Sequence, residues 1–228
     1  MDIPSATEIT RDLVRIDSIN PPGTEKRCAD YLGTLLQDAG FEVNRYEYAA
    51  ERTSLIAKLE GTGGRKAICF GGHTDVVPLG DKPWSVKPFG ADIVDGRLYG
   101  RGSCDMKSGV AAYVHMGLKL AHEQRGVADI VLVMAAGEET GCDGSKHLKE
   151  LGVLPDAGAM IIAEPTSNYP ILGHRGALWL NATVRGTTVH GSMPELGDNA
   201  VYKAARAIMN LENFGFDVKP NALLGNTT

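Results

Sequence analysis

Residues 129–141 read DIVLVMAAGEETG, an unbroken apolar run that ends in two adjacent glutamates between glycines. An apolar run of this length, rich in Val and Ile, is typical of a strand that is buried on both faces, as in parallel sheets. Similar runs occur at residues 66–71 and 158–163. Because helix-periodic segments lie between these runs, the sequence predicts a three-layer α/β/α domain around a mostly parallel sheet.

The periodicity also predicts the individual elements. Ser5 and Glu8 form a capping-box pattern ahead of an apolar-periodic stretch, and Gly40 stands where a helix would end. Asp95-Gly96 between two short extended runs predicts a hairpin within residues 91–99. The predicted helices cover about residues 6–17, 24–39, 108–121 and 144–152, and the predicted strands cover residues 41–48, 54–59, 66–71, 129–134 and 158–163.

The pattern changes near residue 175. An alternating stretch at residues 177–184 predicts a half-buried strand, and residues 200–211 predict an amphipathic helix after a polar, glycine-rich segment. We therefore divide the chain into a domain of residues 1–174 and a second, α+β unit of residues 175–228.

Composition excludes several classes of protein. A net charge of −5 and 23 scattered basic residues give no reason to expect a nucleic-acid partner. The sequence has neither a membrane-spanning apolar run nor a basic-then-apolar signal pattern, so we expect a cytoplasmic chain with no membrane partner. Its four cysteines lack a C-x-x-C pair, which argues against a disulfide framework and against a thiolate zinc site.

Four acidic or histidine clusters stand at a strand end or a helix start. Ligands bind at the carboxyl ends of strands in open α/β sheets, so clusters far apart in sequence can meet there. Taken singly, each cluster also fits an ordinary surface loop, a helix cap or a solvated acidic turn. The residues concerned are His73 with Asp75, Asp105, Glu138 with Glu139, and Glu164.

The glycine-rich segment around Asp105, GRGSCDMKSG, fits none of three common motifs. A dinucleotide fingerprint needs glycine where Asp105 stands, a phosphate loop needs Gly-Lys-Ser/Thr, and Ser103 lacks the flanks of a nucleophile elbow. A histidine-plus-carboxylate set without cysteine instead suits zinc, or manganese or cobalt, in a hydrolytic site. Two metals about 3.5–4 Å apart, bridged by one carboxylate, would account for the number of acidic residues in the four clusters.

The ordered strings GGHTDVVP, GRGSCDMKSG, GEETG and AEPT, with Pro83-Trp84-Ser85 between the first two, resemble the co-catalytic zinc peptidase and deacylase family. This family includes acetylornithine deacetylase, succinyl-diaminopimelate desuccinylase, aminoacylases and glutamate carboxypeptidases. The resemblance covers essentially the whole chain. It implies two Zn²⁺ ions per complete site, with Co²⁺ or Mn²⁺ as substitutes.

The resemblance also implies a role for each residue that matches a motif. Asp105 would bridge both metals, with a cis peptide to Met106, and Glu138 would be the general base. The other implied metal ligands are His73, Glu139 and Glu164, with Asp75 orienting His73.

In the second unit, the stretch around His190 resembles the histidine motif of a ferredoxin-like lid and dimerisation domain. His190 would help to stabilise the tetrahedral intermediate, and the full-length form would be a homodimer. Family members are longer, with a further lid portion and a C-terminal segment that supplies a final histidine ligand, so we expect this chain to be an N-terminal portion.

The resulting hypothesis is a metal-dependent amidohydrolase that removes an acyl group from an N-acyl amino acid or cleaves a small peptide, with the deacetylase and desuccinylase types favoured. Two alternatives stay open. One is a truncated fragment that binds metal without turnover, and the other is an aminopeptidase that requires a free substrate amine.

Overall fold

The computed structural model describes residues 3–123, 128–215, 218–223 and 225. Contacts divide the chain into two compact units, Met1–Asn168 and Tyr169–Thr228, a division six residues before the one predicted from the sequence. Among the described residues, no helix has both the length and the apolar character needed to cross a membrane.

The first unit alternates helices and strands. Its helices are α1 (Ala6–Arg15), α2 (Lys26–Asp38), α3 (Lys107–His122) and α4 (Asp143–Glu150). Its strands are β1 (Glu42–Ala49), β2 (Arg52–Leu59), β3 (Arg65–His73), β4 (Asp92–Val94), β5 (Arg97–Tyr99), β6 (Ala128–Ala135) and β7 (Ala157–Ile162).

Five of these strands form one sheet in the order β1-β2-β6-β3-β7. β3 pairs in parallel with both β6 and β7, whereas β2 pairs antiparallel with β1 and β6. Only β2 runs against the other four strands, because a two-residue turn joins it to β1 and such a turn reverses the chain. The predicted mostly parallel α/β sheet is confirmed, with this one reversed strand.

Helices cover both faces of the sheet. Alternate strand residues such as Leu55, Leu132 and Met134 pack in one core with α1, α2 and α3. The residues between them, such as Val131 and Val133, pack on the other face with Leu148 of α4. This alternation follows from the two-residue period of a strand, and it produces the predicted three layers.

The local signals in the sequence act as predicted. The Ser5 hydroxyl accepts the Glu8 N–H at 3.2 Å, and the Glu8 carboxylate accepts the Ser5 N–H at 2.7 Å, completing the capping box. Gly40 follows α2 with φ +91°, and Asp95 and Gly96 both have positive φ in the β4–β5 hairpin.

The second unit contains a short 3₁₀ turn, Pro194–Leu196, and the helix α5 (Ala200–Glu212). The Asn199 side chain caps α5 by accepting the N–H of Val201 at 2.9 Å. The strand predicted at residues 177–184 is wrong, since this stretch has no regular secondary structure and is mostly exposed. A strand needs a pairing partner, and none of the described segments forms a ladder with it.

Candidate metal centre

The order of the central strands brings three of the predicted clusters together. β6, β3 and β7 are parallel neighbours, so their carboxyl ends lie at one edge of the sheet. His73 is the last residue of β3 and pairs with Ala135, which places the loop of Glu138 and Glu139 beside it. On the other side, Ala163 N–H donates to Gly71 at 3.1 Å and brings Glu164 to the same edge.

Asp105 reaches this edge from the start of α3. Met106 lies under β3, where its sulfur accepts the His73 N–H at 3.2 Å. A Cβ on Gly72 would lie 2.5 Å from the Met106 methyl carbon, so a larger residue there would require the Met106 side chain to shift. The Asp105-Met106 peptide is cis, as the resemblance implied. Asp105 does not cap α3, because the N-cap is Met106 and it makes no side-chain capping bond.

The resulting cluster is centred on the Nε2 atom of His73. This atom lies 3.3 Å from Asp105 Oδ1, 3.7 Å from Glu164 Oε1 and 3.9 Å from Glu138 Oε2. The candidate ligand atoms of His73, Asp105 and Glu139 lie within 4.8 Å of one another. His73 is buried while the carboxylates are partly exposed, so the cluster is open on one side.

The other ring nitrogen of His73 faces Asp75. Nδ1 lies 3.0 Å from the Asp75 main-chain carbonyl and 3.4 Å from its carboxylate. That carboxylate also accepts two backbone N–H groups, from Glu138 and from Glu139, each at 3.1 Å. Asp75 therefore contacts both the histidine and the loop of the two glutamates, a double contact that the spacing of H-x-D does not reveal.

The concentration of acids shifts the protonation equilibria of the cluster. Burial alone would lower the pKa of His73, but Asp75, Glu164 and Glu138 raise it to about 9. Partial burial raises the pKa of Glu164 to about 7, opposed by His73 and reinforced by the nearby Asp105 and Glu138. Burial likewise raises the pKa of Glu139. These carboxylates repel one another, and a bound cation would relieve that repulsion.

His190 belongs to the second unit, where it is exposed. Its Nδ1 atom lies 2.8 Å from the Ser192 hydroxyl. The role implied by the resemblance remains a prediction.

The sequence did not point to a second set of polar residues behind the cluster. Asn20 and Glu25 are almost fully buried, and each contacts the loop that carries the two glutamates or its anchor Asp75. Asn20 lies in the segment Asn-Pro-Pro-Gly, which in the sequence indicates only the end of a helix. No local pattern therefore predicts its polar contacts.

The donor set is chemically suited to divalent metal. The Nδ1 atom of His73 faces its acceptor Asp75, while the Nε2 atom faces several carboxylate oxygens. No cysteine belongs to the candidate ligand set identified among the described residues. Imidazole with carboxylates at the open edge of an α/β sheet is a donor set suited to a metal-dependent hydrolase.

The comparison with known families identifies the class more closely. The family model described as Peptidase family M20/M25/M40 matches residues 69–226, and the chain belongs to this family. The chain spans about half the length of the curated relatives it matches, for example 58% and 54% of the two described next.

Both of these relatives are named succinyl-diaminopimelate desuccinylase. The one from Rhodospirillum centenum is 33% identical over 227 residues, which is 94% of this chain, and the one from Parvibaculum lavamentivorans is 37% identical over 221 residues, which is 90% of this chain. Among solved structures, a tripeptidase from Staphylococcus aureus aligns with a TM-score of 0.63 at 21% identity, covering 92% of this chain and 56% of its own. This last likeness concerns the fold.

Proposed function

We propose that this chain carries the metal-binding part of an amidohydrolase that removes the acyl group from an N-acyl amino acid. The observation that carries the proposal is the convergence of three carboxylates within 3.9 Å of His73 Nε2, while His73 Nδ1 faces Asp75. An imidazole held in this way has one nitrogen available as a ligand, and the surrounding oxygens supply the others.

In this proposal, His73, Asp105, Glu139 and Glu164 are the residues that would hold two metal ions. When bound, the metals polarise the amide carbonyl and make water more acidic. Glu138 takes the proton of the attacking water and returns it to the leaving amine. Its position supports this role, since its carboxylate is beside the cluster and partly open to solvent.

Asp75 and His190 complete the proposed machinery. Asp75 fixes His73 and the loop of the two glutamates through the contacts described above. His190 donates to the oxyanion of the tetrahedral intermediate, a role that the resemblance of its motif supports. We propose that the second unit, taken as residues 175–228, belongs to the lid that carries such a histidine.

The names of the relatives support one type of amide. Their name, succinyl-diaminopimelate desuccinylase, supports deacylation over peptide cleavage. A dicarboxylic acyl group on a diamino acid is therefore the first substrate to try, with acetylated amino acids next. We further propose Zn²⁺ as the metal, a homodimer as the full-length form, and a cytoplasmic location without nucleic-acid or membrane partners.

The experiment compares substrates with matched amides. The chain, loaded with Zn²⁺, is mixed with an N-succinyl amino acid, its N-acetyl counterpart and a dipeptide that has a free amine, and the released amine is measured. Release from the acylated compounds but not from the dipeptide supports deacylation. Release from the dipeptide, blocked by acylating its amine, would instead identify an aminopeptidase.

The alternative of a metal-binding fragment without turnover predicts a different result. Such a fragment would bind Zn²⁺ but release no amine from any of these compounds. The comparisons give this alternative no support over a deacylase, because both relatives are named as enzymes.

A further inference from the structure

We propose that two buried side chains, Asn20 and Glu25, are positioning residues for Glu138 and Glu139. They lie on the segment between α1 and α2, far from the glutamates in sequence. Asn20 is 3% exposed and Glu25 is fully buried. The inference rests on the proposed function only where it treats Glu138 as a base and Glu139 as a metal ligand.

Asn20 acts through Asp75. Its side-chain amide donates to Asp75 Oδ2 at 2.8 Å and to the Thr140 hydroxyl at 3.1 Å. Asp75 Oδ2 also accepts the Glu139 N–H, and Asp75 Oδ1 accepts the Glu138 N–H. Asn20 therefore fixes the rotation of the Asp75 carboxylate and also holds the loop at Thr140, directly after Glu139.

Glu25 holds the start of the same loop. Its Oε1 atom accepts the Gly137 N–H at 3.0 Å. Arg52 binds the same carboxylate with two nitrogens, at 2.8 and 2.9 Å, and donates to the Pro22 carbonyl at 2.7 Å. A paired arginine and carboxylate has a fixed planar geometry, so this pair presents one carboxylate oxygen to Gly137 in a defined direction.

The arrangement leaves three successive backbone N–H groups of the loop bonded to buried carboxylates. Gly137 donates to Glu25, and Glu138 and Glu139 donate to Asp75. With their backbone held in this way, the adjacent side chains of Glu138 and Glu139 keep different directions. A general base next to a metal ligand requires this. The polar partners of metal ligands commonly affect metal affinity or activity by about 10- to 100-fold when they are removed.

Amide hydrogen exchange of the metal-free chain tests this inference directly. In Asn20→Ala, we expect the N–H groups of Glu138 and Glu139 to exchange at least about tenfold faster than in the wild type. In the double variant Glu25→Leu with Arg52→Leu, the Gly137 N–H should show this increase. The double variant removes both charges, so that no unpaired ion is left buried.

Thr10→Val is the matched control. Thr10 is also buried, and its hydroxyl donates to the Ala6 carbonyl within α1. All rates are compared with those of Val131 and Leu132 in β6, which report global unfolding. If Asn20→Ala does not fold, Asn20→Ser replaces it.

The inference is overturned if the loop N–H groups exchange as in the wild type, or only as much faster as in Thr10→Val. A second readout is Co²⁺ affinity, expected to fall by about 10- to 100-fold in Asn20→Ala and to stay unchanged in Thr10→Val. Exchange in the metal-free chain does not depend on hydrolysis, so failure of the proposed function and failure of this inference give different results.

Discussion

Glu138 and Glu139 are neighbours in the chain, but their carboxylates have different surroundings. Glu138 Oε2 lies 3.9 Å from His73 Nε2, and its other oxygen lies 3.8 Å from the Cys142 sulfur. Glu139 instead joins His73 and Asp105 in the candidate ligand set. The two residues therefore give a matched pair of substitutions that separates proton transfer from metal binding.

Glu138→Gln should lower kcat by about 10²- to 10⁴-fold, the usual contribution of a general base, and leave Zn²⁺ affinity nearly unchanged. Glu139→Gln should lower Zn²⁺ affinity first, with activity partly restored by excess metal. Amine release and calorimetric Zn²⁺ titration measure the two effects. Retained turnover in Glu138→Gln would contradict its assignment as the base.

Metal binding should release protons from the cluster. Because the pKa of His73 is about 9 and that of Glu164 about 7, His73 is almost fully protonated and Glu164 about half protonated at pH 7 in the metal-free chain. Ligation needs a neutral imidazole and an ionised carboxylate, so Zn²⁺ affinity should rise from about pH 6 to about pH 9. Calorimetry at pH 7 in two buffers of different ionisation enthalpy should show between one and two protons released, about 1.5.

The same shift has a defined sign for the stability of the metal-free fold. The pKa of His73 is raised above its unfolded value, so its stabilising contribution is complete below about pH 6.5 and is lost as the pH rises through about 9. The coupling of His73 to the surrounding acids would be contradicted if two quantities stayed constant from about pH 6 to about pH 9. These are the Zn²⁺ affinity of the chain and the stability of its metal-free form.

At the scale of elements, α3 approaches the end of β7 at one glycine. A Cβ on Gly109 would lie 2.2 Å from the Ala163 carbonyl oxygen, which directly precedes Glu164. Gly109→Ala should therefore force the helix and strand apart, lower the free energy of unfolding by about 1–3 kcal/mol and weaken metal binding. Urea unfolding and Zn²⁺ titration measure these effects.

Gly176→Ala is the control for this change, because a Cβ there meets nothing within 4 Å and the backbone has no positive φ. If Gly109→Ala and Gly176→Ala have the same free energy of unfolding and the same Zn²⁺ affinity, the close contact of α3 and β7 does not position Glu164.

Lys107 links α3 to the end of α1. It is fully buried, and its ammonium donates to the carbonyls of Leu13 and Ile16 at 2.9 and 2.8 Å, in the last turn of α1. The Leu13 carbonyl also accepts the N–H of the C-cap residue Ile16 at 3.1 Å, so lysine gives it a second donor and binds the Ile16 carbonyl at the end of the helix. Lys107→Met should lower the free energy of unfolding by about 1.5–3 kcal/mol, as measured by urea unfolding. An unchanged unfolding midpoint would show that these bonds contribute nothing net.

The elements themselves were largely predictable from the sequence. The apolar run at residues 129–134 became β6, and the capping box at Ser5 and Glu8 began α1, because both depend on neighbouring residues alone. The reversed direction of β2 was not predicted, since pairing depends on the whole sheet. The strand expected at residues 177–184 failed because an alternating pattern does not supply a pairing partner.

The candidate site was predictable only in part. The strand-end rule indicated that His73, Glu138 and Glu164 would meet, and the structure brings them together around one nitrogen. The supporting contacts of Asn20 and Glu25 were not indicated. They depend on how the segment between α1 and α2 folds over the loop after β6, which no local pattern records.

At the scale of the whole molecule, metal should stabilise the first unit. A ligand that binds only the folded state adds about 2.7 kcal/mol at a concentration 100 times its Kd. Zn²⁺ should therefore raise the unfolding temperature of the chain, and a chelator should reverse the effect. His73→Ala should abolish the increase, whereas His190→Ala should leave it intact because His190 belongs to the second unit. Equal stabilisation of both variants would contradict the site.

The central claim is that His73 and carboxylates, without cysteine, hold the metal. X-ray absorption of the Zn²⁺-loaded chain tests it most directly, because two exposed cysteines lie near the site. Cys104 precedes Asp105 in sequence, and the Cys142 sulfur lies 3.8 Å from the Glu138 carboxylate. We predict nitrogen and oxygen neighbours at about 2.0–2.2 Å, lost in His73→Ala. Sulfur neighbours at about 2.3 Å, or an unchanged spectrum in His73→Ala, would contradict the account.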